Sequence, residues 1–364
     1  MAFIISGFYF FYFALIGVHI IFIPKILDSI NYDSTQIGII YSAAPLVRFI
    51  VPFLFLRGFR LNQNIFFAAL VLMAISSIGF YLWLYNFYML LLANIAFGIG
   101  LALILPFVEV ISLDFIGKER YGKIRLFGSI GFIAVALVLG RFLSSPEIGI
   151  GFLVAMAFAT LVFGASVGVR DKKSPQKSDN SSMKLSQIFG DYRLWLGFLL
   201  MQVSFGPFYN FFTIYATDHN ISLNTTVWLW SFGVIAEIVM FYYQGKWITK
   251  NLQNVLYLTA SITAFRWILV AFFIDYQVVL FFSQSLHAFS FALFHTAAIA
   301  MLFSIYSAKG HAQQFYLGIA YGLGGFIGAI SSGYIYKYFP QQLFIFGSVV
   351  ALVAAMMFRL HRAK

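Results

Sequence analysis

The sequence predicts an all-α membrane protein with twelve transmembrane helices in two six-helix bundles. Three observations lead there. Of 364 residues, 62% are hydrophobic and only 10% charged, where a soluble domain carries about 25% charged residues. The mean hydropathy of +0.89 agrees, and an ordinary globular enzyme is excluded. Apolar stretches of the length of a bilayer-crossing helix, about 20 residues, recur twelve times between short polar breaks. The longest polar stretch, RDKKSPQKSDNSSMKLSQIFGDYR at 170–193, falls after the sixth of them.

Taken in order, the spans are 3–27, 35–56, 65–84, 87–112, 125–143, 148–169, 194–217, 225–245, 254–274, 277–305, 313–336 and 341–359. Residues 1–169 make a first bundle, 170–193 a cytoplasmic linker and 194–364 a second bundle. With the N-terminus placed in the cytoplasm, eighteen lysines and arginines fall on that side. They include Arg57, Arg60, Lys118, Arg120, Lys123, Arg125, Arg170, Lys184 and Arg193. Only Lys25, Arg141 and Lys337 fall on the other side, while Arg48 and Arg266 lie inside spans. This positive-inside asymmetry puts both termini in the cytoplasm of a bacterial inner membrane. It also explains the net charge of +11 without any nucleic-acid partner. No basic leader precedes the first apolar run, so no cleavable signal is expected. With no cysteine present, disulfide and thiolate chemistry are excluded.

An internal repeat supports two halves. Thr35 opens span 2 with Arg48 thirteen residues on, and Thr225 opens span 8 with Glu237 twelve on. Spans 5 and 11 carry the related runs GSIGF (128–132) and GLGGF (322–326).

Glu109, Glu237, Arg48, Arg266, His19, His287 and His295 fall within the spans. A charge at a helix centre costs about 2.5–3.5 kcal/mol on insertion scales, so each needs a partner or a wet cavity. Counted at 1.5 Å per residue from the span ends, Glu237 lies about 18 Å deep, His287 about 15 Å and Arg266 about 12 Å. These three on spans 8, 9 and 10 form a candidate proton-coupling site, with Arg266 beside the Glu237 carboxylate and His287 relaying or holding the proton. Glu109 and Arg125, on the neighbouring spans 4 and 5, form a candidate ligand pair. The run Ser204–Asn210 breaks span 7 with glycine and proline, which makes Tyr209 and Asn210 candidate ligand contacts.

PFVEV (106–110) and YGKIRLFGSIGF (121–132) resemble spans 4 and 5 of the lactose permease-like branch of the major facilitator superfamily. They are more similar still to its phenylpropionate permease-like branch. FYFFYFALIGVHIIFIPKIL (8–27), TQIGIIYSAAPLVRF (35–49), WLWSFGVIAEIVMF (228–241), FRWILV (265–270) and QSLHAFSFALFH (284–295) are similar to that group in the same order. Parallel six-helix repeats about a central cavity are the plan of this superfamily. The resemblance implies that Glu109 and Arg125 bind substrate and that Phe132 is the aromatic residue on which it stacks. It likewise implies proton coupling by Glu237, Arg266 and His287. Ser290 stands where lactose permease has its proton-carrying glutamate, so coupling moves to Glu237 or is absent. Gln284 replaces a lysine, and Met240 a sugar-binding asparagine, which favours a less hydroxylated ligand. Arg48, in LVRF, resembles the phenylpropionate permease-like branch and joins the substrate set. The usual glycine–aspartate–arginine signature between spans 2 and 3 is not recognisable in RGFRLNQN (57–64).

His19 and His295 lack a second metal ligand at helical spacing and read as satisfied polar groups. GLGGFIG (322–328) misses nucleotide-loop spacing and reads as close helix packing. No hydrolase, metalloprotease or P-loop pattern occurs, so neither catalytic residue, cofactor nor metal is expected. The function expected is proton-coupled symport of a small organic solute by alternating access, with an aromatic or other organic anion preferred. The partners are that solute, protons and the lipid bilayer, and the working unit is a monomer. A sugar or nucleoside symporter, an efflux carrier and a transport-inactive sensor or scaffold are the alternatives.

Overall fold

Lipid offers no hydrogen bonds, so a spanning segment must satisfy its own backbone, and apolar runs of this length fold as helices. A computed structural model describes residues 1–56, 61–170, 185–248 and 251–361, with no strand among them. Eleven helices are each long and apolar enough to cross a membrane. They are spans 1 (Ala2–Ser29), 2 (Ser34–Leu54), 3 (Gln63–Leu82), 4 (Phe87–Ile116), 5 (Arg120–Phe142), 6 (Pro146–Arg170), 8 (Leu223–Tyr243), 9 (Leu252–Phe272), 10 (Gln277–Ile305), 11 (Lys309–Tyr338) and 12 (Pro340–Leu360). Span 7 supplies the remaining crossing as two 13-residue helices, Tyr192–Ser204 and Gly206–Asp218, which meet at Phe205. Each is too short alone; end to end they match their neighbours. Of the expected linker, residues 171–184 lie outside the described residues, as do Arg57 and Arg60 of the segment between spans 2 and 3.

Local chemistry fixes the helix starts. Asn62, Asn86, Ser222 and Asn251 each accept a hydrogen bond from the backbone N–H three residues on, as N-caps do. Asp33 and Gln36 form a reciprocal capping box at span 2. Asn31 and Asn220, at matching turns before spans 2 and 8, adopt φ of 69° and 60°, a conformation asparagine tolerates better than most residues. One boundary differs from expectation. The helix of span 5 begins at Lys118, not 125, directly after Gly117 at φ 75°. Hydropathy fades at KERYGKIR, but lysine, arginine and glutamate are good helix formers, so the helix continues through them. Arg125 therefore lies two turns inside span 5.

Within the first half, span 1 packs on spans 5 and 6, span 3 on spans 4 and 6, and span 2 on span 4. In the second half, span 12 packs on spans 7 and 9, span 11 on span 7, and span 10 on spans 8 and 9. Across the halves, span 2 runs along span 11, span 5 along span 8, and span 7 touches span 1. Glycines permit the closest approach: a Cβ on Gly322 would lie 2.6 Å from the Phe49 backbone nitrogen. GLGGFIG is thus a packing surface. At the end of the molecule remote from the N-terminus, here the far end, two ion pairs join the halves. Lys337 meets Asp33 at 3.1 Å, and Lys25 meets Asp28 at 2.8 Å and Asp218 at 3.5 Å. Spans 1, 10 and 11 each contain a π-helical turn, at Val18–Phe22, Ala288–Leu293 and Leu317–Gly324. Such turns shift the faces of a helix and cluster at functional sites.

Candidate functional site

The antiparallel pair of spans 5 and 8 sets the geometry. Arg125 and Phe132 are seven residues apart, as are Trp230 and Glu237, so each pair shares one helix face. Phe132 and Trp230 face each other with ring centroids 6.5 Å apart. One heptad toward the near end, Arg125 and Glu237 stand on these two facing helices. Two charged clusters, one from each half, share this central zone.

In the first cluster, Arg125 Nε lies 3.8 Å from Glu109 Oε1. Both side chains keep about a third of their surface, 30% and 33%. The guanidinium also lies over Phe13 at 4.1 Å and Tyr9 at 5.2 Å, a cation–π arrangement. Phe13 and Tyr9 are four residues apart on span 1, so one face of that helix supplies the platform. Span 1 is held in turn by Tyr9, whose hydroxyl donates to Ser112 at 3.3 Å, and by Tyr12, which donates to the Leu101 carbonyl at 3.2 Å.

The second cluster is more enclosed. Arg266 is wholly buried against the rings of Phe208 and Trp267, each 4.4 Å away and themselves packed at 5.4 Å. Its guanidinium donates to Gln284 Oε1 at 2.8 Å and Ser290 Oγ at 3.2 Å, and sits 2.9 Å from His287 Nδ1. His287 Nε2 lies 3.6 Å from Glu237 Oε2. Here the expected order of contacts is corrected: Arg266 reaches Glu237 only through the imidazole. An arginine only donates, so His287 Nδ1 accepts and its N–H sits on Nε2, facing the carboxylate. In this arrangement the imidazole links the charges and holds no extra proton. The two family departures noted above, Gln284 and Ser290, are the neutral groups that bond the buried guanidinium.

Arg48 is half-buried, and no carboxylate lies within 4 Å of it among the described residues. It stands on span 2, which runs along span 11 of the other half. Tyr209 stacks on Phe205 at 5.4 Å and lies 6.5 Å from Trp230, so it borders the zone between the clusters. Asn210 is buried and donates to the Gly206 carbonyl at 2.7 Å, which ties its amide to its own helix. Gly206 is the point where span 7 meets span 11; a Cβ there would lie 2.7 Å from Gly328 Cα. His19 bonds Asn94 at 3.1 Å and His295 bonds Tyr321 at 2.9 Å.

Sequence reasoning did not single out Tyr9, Phe13, Trp230, Phe208 or Tyr321. Spacing carries a signal for three of them: Tyr9 and Phe13 repeat at i and i+4, and Trp230 stands a heptad before Glu237. Phe208 and Tyr321 are placed by the span 7 break and the π-helical turn of span 11, which no periodicity announces.

An all-helical bundle of twelve crossings, with charged side chains inside each half, is the architecture of a multi-pass membrane transporter. The chain belongs to the MFS_1 like family, whose profile matches residues 2–346. It is 22% identical over 360 residues to the probable 3-phenylpropionic acid transporter of Escherichia coli (strain K12), covering 95% of this chain and 94% of that one. It is 24% identical over 348 residues to the uncharacterized transporter YwbF of Bacillus subtilis (strain 168), covering 92% and 86%. Among solved structures, the nucleoside transporter NupG superposes with a TM-score of 0.80 at 17% identity, over 100% of this chain and 99% of that one. A bacterial homolog of the human lysosomal transporter Spinster gives 0.72 at 15% identity, over 99% and 96%. The fold is that of major facilitator secondary transporters.

Proposed function

We propose that this protein is a proton-coupled symporter of a small organic anion with an apolar or aromatic body. Two six-helix halves, residues 1–169 and 194–364, rock about the central zone as a monomer in a bacterial inner membrane, with both termini cytoplasmic. The observation that supports the reading is a charge imbalance: spans 2, 5 and 9 carry Arg48, Arg125 and Arg266 inside the bundle, against only Glu109 and Glu237. With both acids ionised the set carries one excess positive charge, which an organic carboxylate neutralises. Protonating Glu237 adds a second, so proton and anion bind cooperatively, as symport requires. At about 8 Å and an effective dielectric of 20–40, one unit charge is worth roughly 1–2 kcal/mol, about 5–30-fold in anion affinity. Phe132, Trp230 and Tyr209 offer ring faces for the ligand body. The name of the E. coli relative, a probable 3-phenylpropionic acid transporter, agrees with this ligand class.

Uptake of labelled 3-phenylpropionate into proteoliposomes, with and without an inward proton gradient, tests the proposal. Accumulation above equilibrium that a protonophore abolishes supports it. Uptake that ignores the protonophore removes proton coupling. A nucleoside or sugar accumulated in place of the acid removes the anion.

A further inference from the structure

A cavity of about 530 Å³ opens on the seam between spans 5 and 8 at the far end, lined by Leu137, Gly140, Arg141, Asn224 and Trp228. Its lining is graded along the helix axes. Arg141 is the penultimate residue of span 5 and Asn224 the second of span 8, so the polar groups stand at the helix ends. Deeper along the same ridges come Leu137 with exposed Val138, and Trp228 with exposed Phe232 four residues on. Phe142 is exposed beside the mouth. Three basic residues mark this end. Lys25 and Lys337 each meet carboxylates, whereas Arg141 is exposed and has no carboxylate within 4 Å among the described residues. A cation and an amide at helix ends, above an apolar groove open to the bilayer, match one ligand chemistry: an anionic head on an aliphatic tail.

We propose that this crevice binds an anionic phospholipid. Arg141 and Asn224 hold the phosphate, and an acyl chain lies along Leu137, Val138, Trp228 and Phe232. Because its two walls belong to different halves, the site is complete only when spans 5 and 8 lie together at this end, where Gly140 packs on Val227. A lipid there favours the conformation closed at the far end, by its differential affinity for that state. The inference does not rest on the proton-coupled reading and survives its failure.

Thermal unfolding of the purified full chain in a neutral detergent tests it, with phosphatidylglycerol, phosphatidylcholine or inorganic phosphate added. Phosphatidylglycerol is expected to raise the melting temperature by about 3 °C or more, since a ligand of the native state stabilises it. Arg141→Ala should erase the rise, Asn224→Ala reduce it, and Arg141→Lys retain part of it. Native mass spectrometry should count one fewer bound phosphatidylglycerol in Arg141→Ala, a readout that stands even if melting is altered. An equal rise with phosphatidylcholine, a rise reproduced by phosphate alone, or an undiminished rise and lipid count in Arg141→Ala would each overturn the proposal.

Discussion

The two charged clusters use the same residue types in opposite ways. Glu109 and Arg125 touch directly and keep about a third of their surface. Arg266 is sealed against aromatic rings and meets Glu237 only through His287. A direct, solvated pair is worth little, about 0–1 kcal/mol, so a ligand can take over one partner at low cost. A buried cation has no water to fall back on; it depends on the hydrogen bonds that protein supplies, and losing them is expensive. Within the proposed function, the difference divides the roles. The wet cluster is suited to exchanging partners with a ligand, and the enclosed one to responding as a unit to a single proton.

The largest expected effect comes from the enclosed side. Arg266→Ala strips the shared donor from Gln284, Ser290 and His287 and leaves a void beside Phe208 and Trp267. A destabilisation of about 3 kcal/mol or more is expected, read as a large drop in melting temperature together with lost uptake. Arg266→Lys should not restore either, because an ammonium cannot reproduce the planar fork that serves three partners. A mild effect of Arg266→Ala, no larger than that of Arg125→Ala, would break the contrast between the clusters.

Next is Glu237→Gln. Gradient-driven accumulation should fall at least about tenfold, while exchange of ligand across the membrane persists. The variant should also bind the anion with the affinity the wild type reaches only at low pH, because its central zone permanently carries the second excess charge. Binding titrations at two pH values check this. Wild-type affinity that does not rise as the pH falls would show that Glu237 is not the coupled proton site.

Arg125→Ala is smaller in stability and larger in binding. Its pair with Glu109 is solvated, so the melting temperature should shift by less than about 1 kcal/mol equivalent. Anion affinity should fall about tenfold if the guanidinium accepts the ligand carboxylate. Equal losses of stability and binding would make Arg125 a structural residue like Arg266.

Much of the fold could be read from sequence because lipid enforces it: spans of the right length must be helical, and the lysine–arginine asymmetry counts them. The exceptions have local causes. Span 5 starts early because hydropathy registers the charges of KERYGKIR and not their helix propensity. Span 7, whose break the glycine and proline of Ser204–Asn210 announce, divides into two full helices that meet at Phe205, where Gly206 closes on Gly328. At the candidate site, Glu109, Arg125, Glu237, Arg266 and His287 were legible as polar residues in or beside apolar spans, and Phe132 through the resemblance of YGKIRLFGSIGF. Their meeting with residues on other spans was not. That His287 separates Arg266 from Glu237 depends on which nitrogen faces which neighbour, set by the packing of spans 8, 9 and 10.

The smallest effect belongs to a third pair, which calibrates the ranking by burial. Lys337 and Asp33 join the halves at the far end at 3.1 Å, with 38% and 46% of their surfaces exposed. Burial works to raise the Asp33 carboxyl, but hydrogen bonding from the Gln36 backbone N–H and Lys337 outweighs it and holds the group below its ordinary range. A carboxyl lowered in the folded state stabilises above its unfolded pKa, near 4, and loses that contribution as the pH falls through the lowered value. A double-mutant cycle of Asp33→Asn and Lys337→Met should therefore give a coupling of about 0.2–1 kcal/mol at pH 7, shrinking toward zero once the pH falls below the lowered value, and in high salt. Measured by melting temperature, a coupling here as large as the loss from Arg266→Ala would mean that exposure does not rank these charges. The division of labour drawn between the two central clusters would then fall with it.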